Sequence, residues 1–104
     1  MKPPVRHERA DGDVLEAVDY YVQNAPEMTL AFVDSLEQIY RYIQSRPGAG
    51  SPRYAHELNL PGLRFWRCKR FPYLVFYMET AEQINIWRVL HGSRDIPAWL
   101  QDEA

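Results

Sequence analysis

The chain has 104 residues, 46% of them apolar and 13% aromatic, with 12 basic and 14 acidic side chains and a net charge of −2. A chain of this size buries roughly two-thirds of the surface it exposes when unfolded, so residues 1–104 are expected to form one domain around one core. The aromatic content excludes a disordered chain, and the acidic balance excludes a general nucleic-acid binder, which needs a basic excess to displace counterions.

Val5 to Arg9 alternates weakly and reads as a short first strand, placed at an edge because Pro3 and Pro4 precede it. Asp11-Gly12-Asp13 offers an N-cap followed by acids at the positive end of a helix dipole, which predicts a helix starting there. Val14, Ala17, Val18, Tyr21, Val22 and Ala25 then recur at steps of three and four, forming one apolar stripe. Pro26 suits the first turn of a second helix, whose stripe is Met28, Phe32, Val33, Leu36, Ile39, Tyr40 and Ile43. The short corner between them makes a helical hairpin whose joint apolar face needs a sheet.

Residues 46–57, with Pro47-Gly48-Ala49-Gly50-Ser51-Pro52 at their centre, read as a surface loop. Three segments rich in β-branched and aromatic residues follow: Leu63 to Cys68, Tyr73 to Glu79, and Gln83 to His91. Their short connections predict an antiparallel meander. Ile96 to Leu100 is either a helical turn packing Trp99 on the body or a loose tail. The fold class is therefore α+β in the order β-α-α-β-β-β, with the hairpin on a mainly antiparallel sheet.

These strands are apolar on both faces. Tyr73, Val75 and Tyr77 alternate with Leu74, Phe76 and Met78; strict alternation in the last strand puts Ile84, Ile86 and Leu90 on one face and Asn85, Trp87, Val89 and His91 on the other. A hairpin covers only one face. Either the C-terminal turn closes a two-sided core, or the second face, with Trp66 or Phe65, Trp87 and some of Leu74, Phe76 and Met78, is an interaction surface; we favour the second. Arg64, Arg67, Lys69 and Arg70 fall within seven residues without an acid. Such a stripe binds phosphate, single-stranded RNA or an acidic helix, or simply protects an edge strand.

Catalytic signals are weak. Asp11 with Asp13 and Asp34 with Glu37 read as caps and solvated faces, His91 as a polar strand end, and no serine lies in a nucleophile elbow. The lone Cys68 reads as a packing residue in a cytoplasmic protein, and His7, His56 and His91 lie too far apart in sequence to suggest a zinc site. Neither a metal nor a cofactor is expected. The Met1-Lys2-Pro3-Pro4 start has no signal-like apolar segment, and no apolar run is long enough to span a membrane.

The segments Ala17 to Tyr21, Phe32 with Leu36, Arg46-Pro47-Gly48-Ala49-Gly50, Phe71-Pro72-Tyr73-Leu74-Val75-Phe76-Tyr77 and Ile86 to Pro97 ("IWRVLHGSRDIP") together resemble the ParE toxins of the RelE/ParE superfamily of bacterial type II toxin–antitoxin pairs. The resemblance spans nearly the whole chain. It implies a hairpin packed on a sheet, a ParD-like antitoxin whose C-terminal segment wraps the toxin, and inhibition of DNA gyrase by binding rather than catalysis. The mRNA-cleaving pattern of RelE-like relatives is partial: Arg67 and Arg94 occupy comparable places, but Leu74 stands where an arginine would follow Tyr73. A RelE-like ribosome-dependent endonuclease and a non-toxic, antitoxin-binding member are the alternatives. The antitoxin contacts are expected at Val18, Tyr21, Val22, Trp66 and Trp87, where bulky anchors carry interface energy. The target contacts are expected at Arg64, Arg67, Arg88, His91, Arg94 and Trp99, with no sequence-specific nucleic-acid binding and no membrane association.

Overall fold

A computed structural model describes residues 2–101. Met1 and residues 102–104, the ends of the span expected to form one domain, lie outside the described residues. Strand β1 (Pro4–Arg6) leads into helix α1 (Glu8–Asn24), and a 3₁₀ turn (Pro26–Met28) joins it to α2 (Thr29–Ser45). A short helix α3 (Arg53–Glu57), strands β2 (Arg64–Arg67), β3 (Tyr73–Glu79) and β4 (Ile84–His91), and helix α4 (Ile96–Gln101) complete the order. The sheet runs β1-β4-β3-β2, antiparallel except for β1, which lies parallel to β4 with Val5 opposite Asn85.

The α+β class and the strand order along the chain are as expected, but two local expectations fail. Helix α1 begins at Glu8, a turn before Asp11, because His7 is extended and its carbonyl accepts the Asp11 N–H at 3.0 Å. Asp11-Gly12-Asp13 therefore lies within the helix, and Ala10 is already in the core. The 46–57 segment is not wholly loop, since α3 forms within it and Tyr54 packs 5.8 Å from Phe65 and 6.0 Å from Phe76.

The hairpin stripes meet one sheet face. Tyr21, Phe32, Leu36, Ile39 and Ile43 pack with Phe71, Val75, Tyr77, Ile84, Ile86 and Val89. Tyr21, Phe32 and Phe71 form an aromatic knot with ring centroids 5.0–5.6 Å apart. Helix periodicity thus fixes which side chains cover the sheet.

The other sheet face is covered as well, which overturns the expectation of an open apolar surface. Leu63, Leu74, Phe76, Leu90, Ile96 and Leu100 form a second core, flanked by Tyr54, Leu58, Leu60, Phe65, Met78, Trp87 and Trp99. Residues 53–63 and α4 supply the missing layer, since burying this apolar area outweighs the cost of ordering two short segments. Strict alternation fails because β4 carries a bulge. Phe76 pairs with Arg88 and Tyr77 with Ile86, leaving Trp87 as the extra residue. Val89 thereby joins Ile84 and Ile86 under the hairpin, and Leu90 joins Phe76 on the far side.

Tyr77 pins the loop before α3: its hydroxyl donates to Pro47 O at 2.7 Å and accepts from Gly50 N–H at 3.0 Å. A Cβ at Gly50 would collide with that hydroxyl and come within 2.9 Å of the ring. Gly50→Ala is expected to cost about 1–3 kcal/mol in chemical denaturation, the usual cost of overpacking.

Burial pushes the Cys68 thiol up to about 11, against a lowering bond from Ser35, and the Tyr40 phenol up to about 12. The unfolded chain releases these protons first, from ordinary values of 9.0 and 10.0. Their stabilising contribution is therefore complete below pH 9 and declines as pH rises through 11 and 12. Denaturation midpoints are expected to fall across that window, less steeply in Cys68→Val, and folded Cys68 should alkylate far more slowly at pH 8 than the unfolded thiol.

Candidate functional site

One cleft of about 740 Å³ opens between α1, the end of β4 and α4. Tyr20, Tyr21 and Tyr73 supply aromatic walls, and Glu16, His91 and Arg94 supply polar ones. Its position follows from the β4 bulge, which turns His91 toward α1 and sets its ring 5.2 Å from Tyr73.

Beneath the cleft lies an ion pair. Asp13 Oδ2 accepts from Arg88 Nε at 2.7 Å and from the Val89 N–H at 2.9 Å, and Asp13 Oδ1 accepts from Arg88 Nη2 at 2.8 Å. Arg88 is 2% exposed. Its Nη1 also donates to Trp99 O at 3.3 Å, tying α4 to the same guanidinium. This bidentate geometry uses the arginine fork fully.

Above it, Arg94 lies over the Trp99 ring at 4.1 Å, with Nη2 3.5 Å from Glu16 Oε1. The stack holds the half-exposed guanidinium against a flat apolar surface. The Ser93 N–H donates to His91 Nδ1 at 3.0 Å, and the Ser93 hydroxyl approaches the same nitrogen at 2.7 Å. Because a backbone N–H only donates, Nδ1 is the bare nitrogen and Nε2 carries the ring proton. Burial raises the Tyr73 phenol above its ordinary value, helped by Tyr21 and opposed by Arg94. Tyr73 is therefore a neutral hydroxyl near pH 7. With Asp13 engaged by Arg88, the cleft offers a cation, a hydrogen-bonding imidazole and aromatic faces, a set suited to binding.

The expected target contacts divide. His91, Arg94 and Trp99 line this cleft. Arg67 borders it, with Nη1 3.6 Å from where a Gly92 Cβ would lie. Arg64 sits apart, donating to Gly50 O at 2.8 Å. Arg88, expected as a target contact, is buried in the ion pair: the bulge sets it opposite Phe76, on the α4 side of β4, where its guanidinium reaches both Trp99 O and the Asp13 carboxylate.

The expected antitoxin contacts form no single patch. Tyr21 is in the core, Val18 and Trp66 pack against it, and Trp87 lies on the opposite sheet face; Val22 is 52% exposed. Sequence reasoning missed Leu15 and Leu30, 70% and 78% exposed on the hairpin. Their signal was available: both are large apolar residues off the inward stripes.

The fold is that of a small α+β domain with a helical hairpin on a four-stranded mixed sheet. In structure comparison it resembles a chain from the "Chromosomal ParDE TA system from P. aeruginosa", with TM-score 0.72 and 24% identity over 88% of this chain and 96% of that one. No curated protein matches the sequence. Residues 5–96 match the family described as the ParE toxin of the type II toxin–antitoxin system parDE. The chain belongs to the ParE toxin family. Among the described residues no helix is long and apolar enough to cross a membrane, and no His, Cys, Asp or Glu group could hold a metal ion.

Asp13→Ala is expected to cost about 3–5 kcal/mol in urea denaturation, because it leaves the Arg88 charge buried without its carboxylate. Arg6→Ala, which breaks only the exposed 3.4 Å pair with Asp11, should cost under about 1 kcal/mol.

Proposed function

We propose that this chain inhibits DNA gyrase by binding, without turnover, in the cytoplasm, and that a ParD-like antitoxin neutralises it. The observation that carries this reading is the ParE family match over residues 5–96. The cleft supports it, because Arg94 on Trp99 and the Nε2–H of His91 present a rigid, partly apolar contact of the kind that anchors protein interfaces. Arg67, close to Gly92 beside His91, would add a second cation next to the cleft.

For the antitoxin, the hairpin is the proposed seat. Val22 lies on α1 and Leu30 on α2, one at each side of the turn, and Leu15 is two helical turns before Val22 on the same face. An amphipathic antitoxin segment laid there would cover apolar surface that the chain itself leaves in water. Val18 and Tyr21 would shape that seat from below, while Trp66, against Tyr42 at the other end of α2, and Trp87 would lie outside it.

A supercoiling assay with purified protein, run beside a translation assay, tests the proposal. Inhibition of gyrase with translation intact is expected, relieved by a stoichiometric ParD-like partner. Arg94→Ala and His91→Ala should each raise the half-inhibitory concentration about tenfold, as loss of an interface anchor does. Unaffected gyrase with ribosome-dependent mRNA cleavage would replace this reading with the endonuclease one.

A further inference from the structure

A second groove, of about 460 Å³, lies between α2 and the turn joining β2 to β3, and shares no lining residue with the first cleft. Arg41 projects from α2, and Lys69 and Arg70 come from the turn; Asp34 is the single carboxylate on the wall. Its floor is part apolar, formed by Ala31 and Phe71, with Ser35 between them.

Arg41, Lys69 and Arg70 are all exposed, and none forms a salt bridge among the described residues. In a chain of net charge −2, three cations against the one carboxylate of Asp34 around one concavity make a local field opposite to the molecule's own. The turn is held in place: Ser35 Oγ donates to Lys69 O at 3.3 Å, and Cys68 N–H donates to Tyr73 O at 2.8 Å. Arg70 takes a left-handed backbone, φ 74°, where local preference favours glycine or asparagine. A long cationic side chain thus occupies a position that backbone conformation alone would assign to a smaller residue.

We propose that this groove docks an acidic, amphipathic segment of a protein partner, its carboxylates meeting Arg41, Lys69 and Arg70 and its apolar side facing Ala31 and Phe71. A nucleic-acid strand fits less well, because a continuous phosphate chain would meet Asp34 and gain nothing from the apolar floor. A helix with glutamates at i, i+4 presents two carboxylates on one face and leucines on another, which matches both halves of the groove. The inference concerns a surface separate from the cleft and does not depend on gyrase being the target.

The test uses the full chain, isotope-labelled, titrated with a twelve-residue helix-forming peptide carrying glutamate on one face and leucine on the other. A glutamine-for-glutamate version and a single-stranded oligonucleotide serve as controls. The glutamate peptide is expected to shift the amides of Ser35, Arg41, Lys69 and Arg70, and to bind about tenfold more weakly to Lys69→Glu/Arg70→Glu, because attraction becomes like-charge repulsion. Lys69→Arg should preserve binding. Arg70→Asn, which suits the left-handed backbone, should weaken it about threefold while the fold is kept, separating lost charge from a disturbed turn. Equal binding of the glutamine peptide, tighter binding of the oligonucleotide at the same residues, or the absence of shifts in the groove would each overturn the proposal.

Discussion

The ion pair between Asp13 and Arg88 joins parts of the molecule that, among the described residues, are otherwise linked only by weaker polar contacts such as the 3.5 Å pair of Arg94 with Glu16. One carboxylate on α1 accepts two bonds from the guanidinium and one from the Val89 N–H, while that guanidinium reaches the carbonyl of Trp99 on α4. A buried pair of this sort is close to break-even in net stability, because desolvating two charges offsets much of their attraction. Its importance is geometric: it fixes how α1 and α4 sit on β4, and hence the walls of the cleft above it. Arg94 and Trp99 stack where they do because α4 is held at this point.

The rest of the architecture follows from an apolar surplus that is used internally. Both faces of the central strands are greasy, and the molecule builds a layer on each: a long helical hairpin on one, and residues 53–63 with α4 on the other. Among the described residues, the large apolar side chains most open to water are on the hairpin, at Leu15, Tyr20, Val22 and Leu30, with only Val5 of the edge strand β1 exposed on the sheet. A partner that seeks apolar contact therefore finds it on the helices, while the sheet end of β4 offers charge and aromatic faces. On the proposed reading, the two surfaces would let an antitoxin and a target engage different parts of one toxin.

Much of this was legible in the chain. Stripe periodicity located both helices, and the turn residues at Asn24 to Pro26 placed the corner between them. The three main strands were readable to within a residue or two of Tyr73, Glu79 and His91. What was not readable was the bulge at Trp87. One extra residue reverses the facing of everything after it, so strict alternation put Val89 and Leu90 on the wrong sides. The same shift hid the role of Arg88, and its partner Asp13 looked like a first-turn acid because a helix dipole and a buried arginine both call for a carboxylate at such a position. Short covering elements such as α3 escape periodicity, since five residues make too little of a pattern.

The Val89 amide reports directly on the central linkage, because its hydrogen is held by the Asp13 carboxylate of another element at 2.9 Å. Native-state hydrogen exchange of the purified chain should show this amide opening only with global unfolding, at the same free energy as the slowest amides of β3. Rapid exchange of Val89 through a local opening, with β3 still protected, would contradict the account: α1 and α4 would then rest on β4 without the buried pair that is held to position them.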